Sequence, residues 1–170
     1  MCIRDRTSLT LDRHKGRSTT YDVERVGLNY RIDEIRSAIG LVQLDKLIDG
    51  NARRKQHTDA YRLELSDMPV DIPFSELKEG VTASYHIMPV LLPGHSDRTD
   101  VMSSMKENGV QTSIHYPPFW SFSAYASITN IKEAPVVAEI CERELTLPLY
   151  PTMTDEQRAL VVSSLAEALS

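Results

Sequence analysis

Apolar residues recur along this chain at two periods, and the switching between them predicts the order of elements. At Ile32, Ile35, Ala38, Ile39, Val42, Leu44, Leu47 and Ile48 they fall three and four positions apart, the spacing of one face of a long helix. Gly40 within that stripe costs about 1 kcal/mol of helix propensity relative to Ala, so it is expected to admit another backbone closely. Gly50-Asn51 is a candidate interruption, after which residues 52–65, with Tyr61, Leu63 and Leu65, form a second helix or continue the first. Alternation or short apolar runs predict strands over 21–26, 70–74, 84–92, 110–116 and 145–151. Gly27, Pro93-Gly94, Pro117-Pro118 and Pro151 close four of these, and Pro73 confines 70–74 to a sheet edge.

Three further helices carry their own start and stop signals. Asp97 is the expected N-cap of a helix over 98–108, with Val101, Met102 and Met105 inward and Gly109 as its left-handed stop. Pro135 suits the first turn of a helix running to 144, with Val137, Ile140 and Cys141 inward. Thr154-Asp155-Glu156-Gln157 is a capping box ahead of an apolar stripe at Leu160, Val161, Leu165, Ala168 and Leu169. Between them, Phe119, Trp120, Phe122 and Tyr125 form an aromatic cluster that suits either a core or a pocket wall. Strands too few and too short for a doubly wound sheet, alternating with helices, predict an α+β fold: a small sheet covered by helices on one face.

Composition narrows the function classes. With 170 residues, 41% hydrophobic and 25% charged, the chain can bury one sizeable core. The net charge of -5, with Lys and Arg scattered, gives no footprint for nucleic acid. No apolar run approaches the roughly 20 residues needed to cross a bilayer, so no membrane partner is expected and a cytoplasmic protein is the default. Cys2 and Cys141 have no metal-ligand spacing, which argues against a disulfide framework or a zinc site. The first residues, Met1-Cys2-Ile3-Arg4-Asp5-Arg6, back-translate into a transposon-end adapter, so residues 1–6 are expected to be a sequencing scar and the chain a fragment.

Candidate chemistry is sparse. There is no G-x-S-x-G elbow, no phosphate-binding glycine loop and no H-E-x-x-H. The stretch Gly27-Leu28-Asn29-Tyr30-Arg31 runs straight into the long helix. A helix entrance offers free N–H groups and a partial positive charge, and Arg31 adds a guanidinium, which together suit an anion such as phosphate; a surface pair of Arg31 with Asp33 or Glu34 is the competing reading. The short basic cluster at 12–17 reads as solvated surface. His86, alone in its strand, reads as a packed and hydrogen-bonded ring. His115-Tyr116 ends a strand beside the aromatic cluster.

The stretch Gly27-Leu28-Asn29-Tyr30-Arg31-Ile32-Asp33-Glu34-Ile35, followed by Ser37-Ala38-Ile39-Gly40 and Gln43-Leu44, resembles the G-x-N-Y-R-x-x-E-I…A-x-x-G…Q-L signature of the DegT/DnrJ/StrS-type sugar aminotransferases. Arg53-Arg54 with Tyr61, Tyr85-His86, Gly109 with Ser113-Ile114-His115-Tyr116-Pro117-Pro118, Ser123-Ala124-Tyr125, Leu145-Thr146-Leu147-Pro148-Leu149-Tyr150-Pro151 and Met153-Thr154 follow in that family's order. The resemblance spans nearly everything after residue 6.

It implies the C-terminal small domain of a type I, pyridoxal-phosphate-dependent aminotransferase, with a long interdomain helix. Residues 7–31 would be a loop and strand from the end of the large cofactor domain, and residues 32–170 the small domain with the connecting helix. The implied reaction moves an amino group from glutamate or a similar donor to a keto-sugar nucleotide, in a homodimer. By resemblance Asn29 and Arg31 reach toward the cofactor phosphate of the neighbouring subunit, while His115 and Tyr116 lie near the sugar-nucleotide pocket, in a substrate or a structural role. None of the lysines matches the family's Schiff-base context, which lies upstream, so the fragment is expected to be inactive alone and poorly soluble. Two other functions stay open: a sugar dehydratase of the same family, or a non-catalytic binding and dimerisation module.

Overall fold

The computed structural model describes residues 32–125 and 134–170. The chain divides into two compact units, Met1–Asp45 and Lys46–Ser170. The expected strand at 21–26, with Asn29 and Arg31, lies outside the described residues.

The long helix α1 spans Glu34–Glu64, 31 residues without a break. Gly50 and Asn51 do not interrupt it: propagation adds a hydrogen bond for each residue fixed, and the Asn51 amide oxygen accepts from the Arg54 guanidinium. The stripe from Ile32 to Ile48 is exposed rather than packed, with Ile35 at 75% and Ile48 at 80% exposure. Among the described residues nothing approaches Gly40 where a Cβ would stand, so the close approach expected there is not made by them. Further along, Thr58, Tyr61 and Leu65 are buried, whereas Leu63 points to solvent.

Strand β1 (Met88–Leu91) pairs antiparallel with β2 (Glu144–Leu147), Met88 opposite Leu147 and Leu91 opposite Glu144. Helix α2 spans Arg98–Glu107, α3 spans Pro135–Arg143 and runs directly into β2, and α4 spans Asp155–Ala168. Two single bridges widen the pair: Asp71 joins Leu91 on one side, and Ser113 joins Thr146 on the other. Leu91 exchanges both backbone bonds with Asp71, so the odd positions of β1 point away from β2. The N–H that Pro89 lacks is therefore missing on that outer side, where it disturbs no bond to β2.

The remaining expected strands are curtailed for local reasons. Pro73 cannot donate and Phe74 turns to φ +59°, so 70–74 keeps only the Asp71 bridge. Tyr85 sits at φ +49°, and the strand expected from 84 begins at Met88. Over 110–116 only Ser113 is bridged, because the next N–H on that side, from His115, is taken by the Glu144 carboxylate at 2.9 Å in place of a backbone carbonyl.

Helix ends follow their sequence signals. Asp97 accepts from the N–H groups of Thr99 and Asp100, and these bonds hold its carboxyl below the usual carboxylate value. Gly109 takes φ +81°, as its left-handed stop requires. Both halves of the Thr154–Gln157 capping box are formed. Arg98 donates to the carbonyls of Cys141 and Glu144, and the Arg143 Nε donates to the Leu92 carbonyl at 2.7 Å, so two guanidinium groups tie the α3–β2 junction into the sheet. The core gathers Tyr61 of α1 and Leu65 just beyond it, Met88, Val90 and Leu92, Val101 and Met105 of α2, Val110, Leu145 and Leu147 of β2, Met153, and Val161 and Leu165 of α4. Helix α3 departs from expectation: Val137 and Ile140 are exposed, and Cys141 is only half-buried.

Candidate functional site

The site grows from the free edge of β2. Thr146 exchanges backbone hydrogen bonds with Ser113 at 2.8 and 3.1 Å, which lays the segment around Ser113 along that edge. Residues two apart on a strand share a face, so Glu144 and Thr146 both present polar side chains to it, at only 6% and 5% exposure. The Glu144 carboxylate accepts the His115 backbone N–H on Oε2 and the Thr146 hydroxyl on Oε1. Thr146 Oγ1 lies 2.9 Å from His115 Nδ1, and Ser113 Oγ lies 3.4 Å from the same nitrogen. The imidazole is thus held through Nδ1 by buried Thr146, with exposed Ser113 as the longer contact.

Beside it opens a cleft of about 400 Å³, lined by His86, Ile87, Gln111, Thr112, Ser113, His115, Thr146, Leu147, Pro148 and Leu149. The lining mixes hydroxyl, amide and imidazole groups with aliphatic surface, suited to a polar but uncharged ligand surface such as a sugar. Thr112 Oγ1 is buried without a hydrogen-bond partner among the described residues.

His115, given by resemblance a substrate or a structural role, lines this cleft. Tyr116 does not line the cleft; it is 69% exposed and meets the His115 ring edge-on at 4.8 Å. His86, expected as a packed ring, is exposed and faces the cleft instead, because Tyr85 takes the backbone out of the extended run. Phe119 meets Trp120 and Tyr125 edge-on at 5.2 and 6.0 Å in two 3-10 turns, but Phe119, Phe122 and Tyr125 are exposed, so the cluster is neither core nor cleft wall. Sequence reasoning missed Glu144, Thr146, Ser113, Thr112 and Gln111. The one signal was the alternation of polar Thr146 with Leu145 and Leu147, which predicts a strand over 145–151 but does not say that its polar face, with Glu144, is buried.

The profile of the DegT/DnrJ/EryC1/StrS aminotransferase family matches residues 6–166. The chain belongs to that family. Among its relatives, the erythromycin biosynthesis sensory transduction protein EryC1 of Saccharopolyspora erythraea is 31% identical over 92% of this chain and 42% of its own length. The dTDP-4-dehydro-2,3,6-trideoxy-D-glucose 4-aminotransferase of Saccharopolyspora spinosa is 30% identical over 86% of this chain and 37% of its own. The fold matches the putative sugar aminotransferase Spr1654 of Streptococcus pneumoniae in its PMP-form, with a TM-score of 0.80 at 23% identity, over 94% of this chain and 40% of that one. This family member thus spans less than half the length of these relatives.

The described residues of this DegT/DnrJ/EryC1/StrS family member do not themselves form a pyridoxal-phosphate site. No lysine lines the cleft. Lys55 bonds Asp59 at 2.5 Å, and that bond raises its ammonium above the ordinary lysine value, the reverse of what a Schiff-base amine needs. Lys46, Lys78 and Lys106 are exposed. The Cys141 thiol is pushed up by burial and then by Glu144, which disfavours a reactive thiolate. No group of three metal-ligating side chains and no helix long and apolar enough to cross a membrane occur among the described residues.

Proposed function

We propose that this chain is the C-terminal part of a pyridoxal-phosphate-dependent aminotransferase that transfers an amino group from an amino acid, glutamate first among candidates, to a keto-sugar nucleotide. In this reading the chain supplies the substrate side of the site, and the Schiff-base lysine comes from elsewhere in a longer polypeptide, so the chain alone is inactive. The observation that carries it is His115, anchored on buried Thr146 and Glu144 at a cleft of polar lining, in a chain that matches the aminotransferase family over residues 6–166. The Saccharopolyspora spinosa relative is named for a nucleotide-linked keto-sugar, which favours that substrate class here. Asn29 and Arg31 are the proposed contacts to the cofactor phosphate across a homodimer, and Tyr116 a substrate-side residue next to His115. The exposed apolar stripe of α1, Ile35, Ile39, Val42, Leu44 and Ile48 among it, favours a protein that packs against further chain or a second subunit. A cytoplasmic location is part of the same reading.

Two measurements on the purified chain test this. Mixed with pyridoxal phosphate and borohydride, it is expected to yield no stoichiometric pyridoxyl-lysine adduct; an adduct on one lysine overturns the assignment of that group to another part of the polypeptide. Titrated with UDP-glucose, its amide NMR spectrum is expected to move at residues 111–115 and 146–149. Changes confined to other residues overturn the substrate-side reading.

A further inference from the structure

His115 Nδ1 and Thr146 Oγ1 are 2.9 Å apart. At that distance a proton lies between them, since otherwise two lone pairs would face each other. The other bond of Thr146 decides which atom carries it. A threonine hydroxyl has one hydrogen, and Thr146 gives it to Oε1 of Glu144. Oε2 of the same carboxylate accepts the His115 backbone N–H, so both oxygens act as acceptors in a side chain almost closed to water. The proton between ring and hydroxyl is then on Nδ1. Ser113 Oγ, at 3.4 Å, is a longer second contact that can accept from the same N–H.

We propose that Thr146, backed by Glu144, is a positioning residue that fixes His115 as the Nδ1–H tautomer and leaves Nε2 as a hydrogen-bond acceptor at the cleft. An acceptor nitrogen matches a ligand group that donates, such as a sugar or ribose hydroxyl; a phosphate oxygen, which only accepts, is disfavoured there. This specificity rests on the reading of the cleft as the substrate side, while the tautomer itself does not.

The test is long-range proton–nitrogen correlation NMR of the imidazole rings in the ¹⁵N-labelled chain, about two pH units above the ordinary imidazole value, with His115 assigned by the signals lost in His115→Gln. The expected result is a protonated, pyrrole-type Nδ1 and a bare, pyridine-type Nε2. Thr146→Val, which keeps the β-branched shape, is expected to lose the Nδ1–H form, and Thr146→Ser to restore it. A wild-type ring with its proton on Nε2, the outcome of a chain running from a protonated Glu144 outward, overturns the proposal, as does an unchanged tautomer in Thr146→Val. If the valine variant does not fold, the wild-type spectrum alone decides. On adding UDP-glucose, Nε2 is expected to shift as an acceptor with Nδ1 still protonated; a doubly protonated ring in the complex overturns the hydroxyl specificity. An unmoved Nε2 beside the expected tautomer upholds the positioning role and refutes the substrate-side reading.

Discussion

Replacing Tyr61 by Phe isolates the bond by which the long helix is pinned to the rest of its unit. Tyr61 is fully buried, and its hydroxyl donates to the Pro148 carbonyl at 3.0 Å with the Met153 sulfur 3.8 Å away. The substitution keeps the ring and deletes the donor. A net hydrogen bond contributes about 0.5–1.5 kcal/mol, and the carbonyl left behind adds part of its own desolvation cost, so the expected loss is about 1–2 kcal/mol. For a chain of this size that lowers Tm by roughly 2–4 °C per kcal/mol. The assay is urea unfolding followed by circular dichroism, read as a lower midpoint at unchanged slope. The same variant has a pH signature. Burial raises the Tyr61 phenol above its ordinary value, with Arg158 opposing. The unfolded state therefore ionises first: the contribution is intact below the ordinary tyrosine value of about 10, falls as pH rises through it at about 1.4 kcal/mol per unit, and continues to fall until the raised folded value is reached. Wild type should thus lose stability above about pH 10 more steeply than Tyr61→Phe. Equal midpoints at neutral pH, or parallel alkaline limbs, would refute the reasoning.

Arg158 makes paired bonds to Glu64 at 2.9–3.1 Å and further bonds to Asp155 and to His57 Nδ1, with its side chain only 12% exposed, so Arg158→Ala is expected to cost about 1–2 kcal/mol, more than an open surface pair; a loss below a few tenths in the same urea assay would show that these bonds only decorate the surface. Asp97 caps α2 with a carboxyl held below its ordinary value, chiefly by the Thr99 and Asp100 N–H groups. Its stabilisation is present above the unfolded carboxylate value and is lost as pH falls through the lowered folded one, so Asp97→Ala should speed amide exchange in the first turn of α2 at neutral pH and leave little difference in acid. On the exposed stripe of α1, the double change Ile39→Glu and Leu44→Glu removes apolar surface from water without emptying any core site. It is expected to raise the concentration at which light scattering first reports association and to leave the urea midpoint within about 0.5 kcal/mol; a large destabilisation would mean the stripe is packed within the chain.

The chain's own pattern determined where most helices begin and end. Asp97, Gly109 and the Thr154–Gln157 box act through bonds to neighbours within a few residues, and Pro135 through its own fixed φ, so their effect is written locally. The family motif was equally legible, because ordered short motifs survive without knowledge of contacts. Tertiary structure decided which apolar stripes are buried. Ile32 to Ile48 has the period of a core helix yet faces solvent, because periodicity tells which residues share a face and not whether another surface covers it. It also decided the length of strands: a run at 110–116 with good alternation keeps one bridge, since a carboxylate 29 residues away takes the N–H that a backbone carbonyl would have held. The site shows the same division. His115 could be singled out from its motif, but Glu144 and Thr146 acquired their roles only when β2 met that segment, because a polar pair two apart on a strand is silent about what lies opposite.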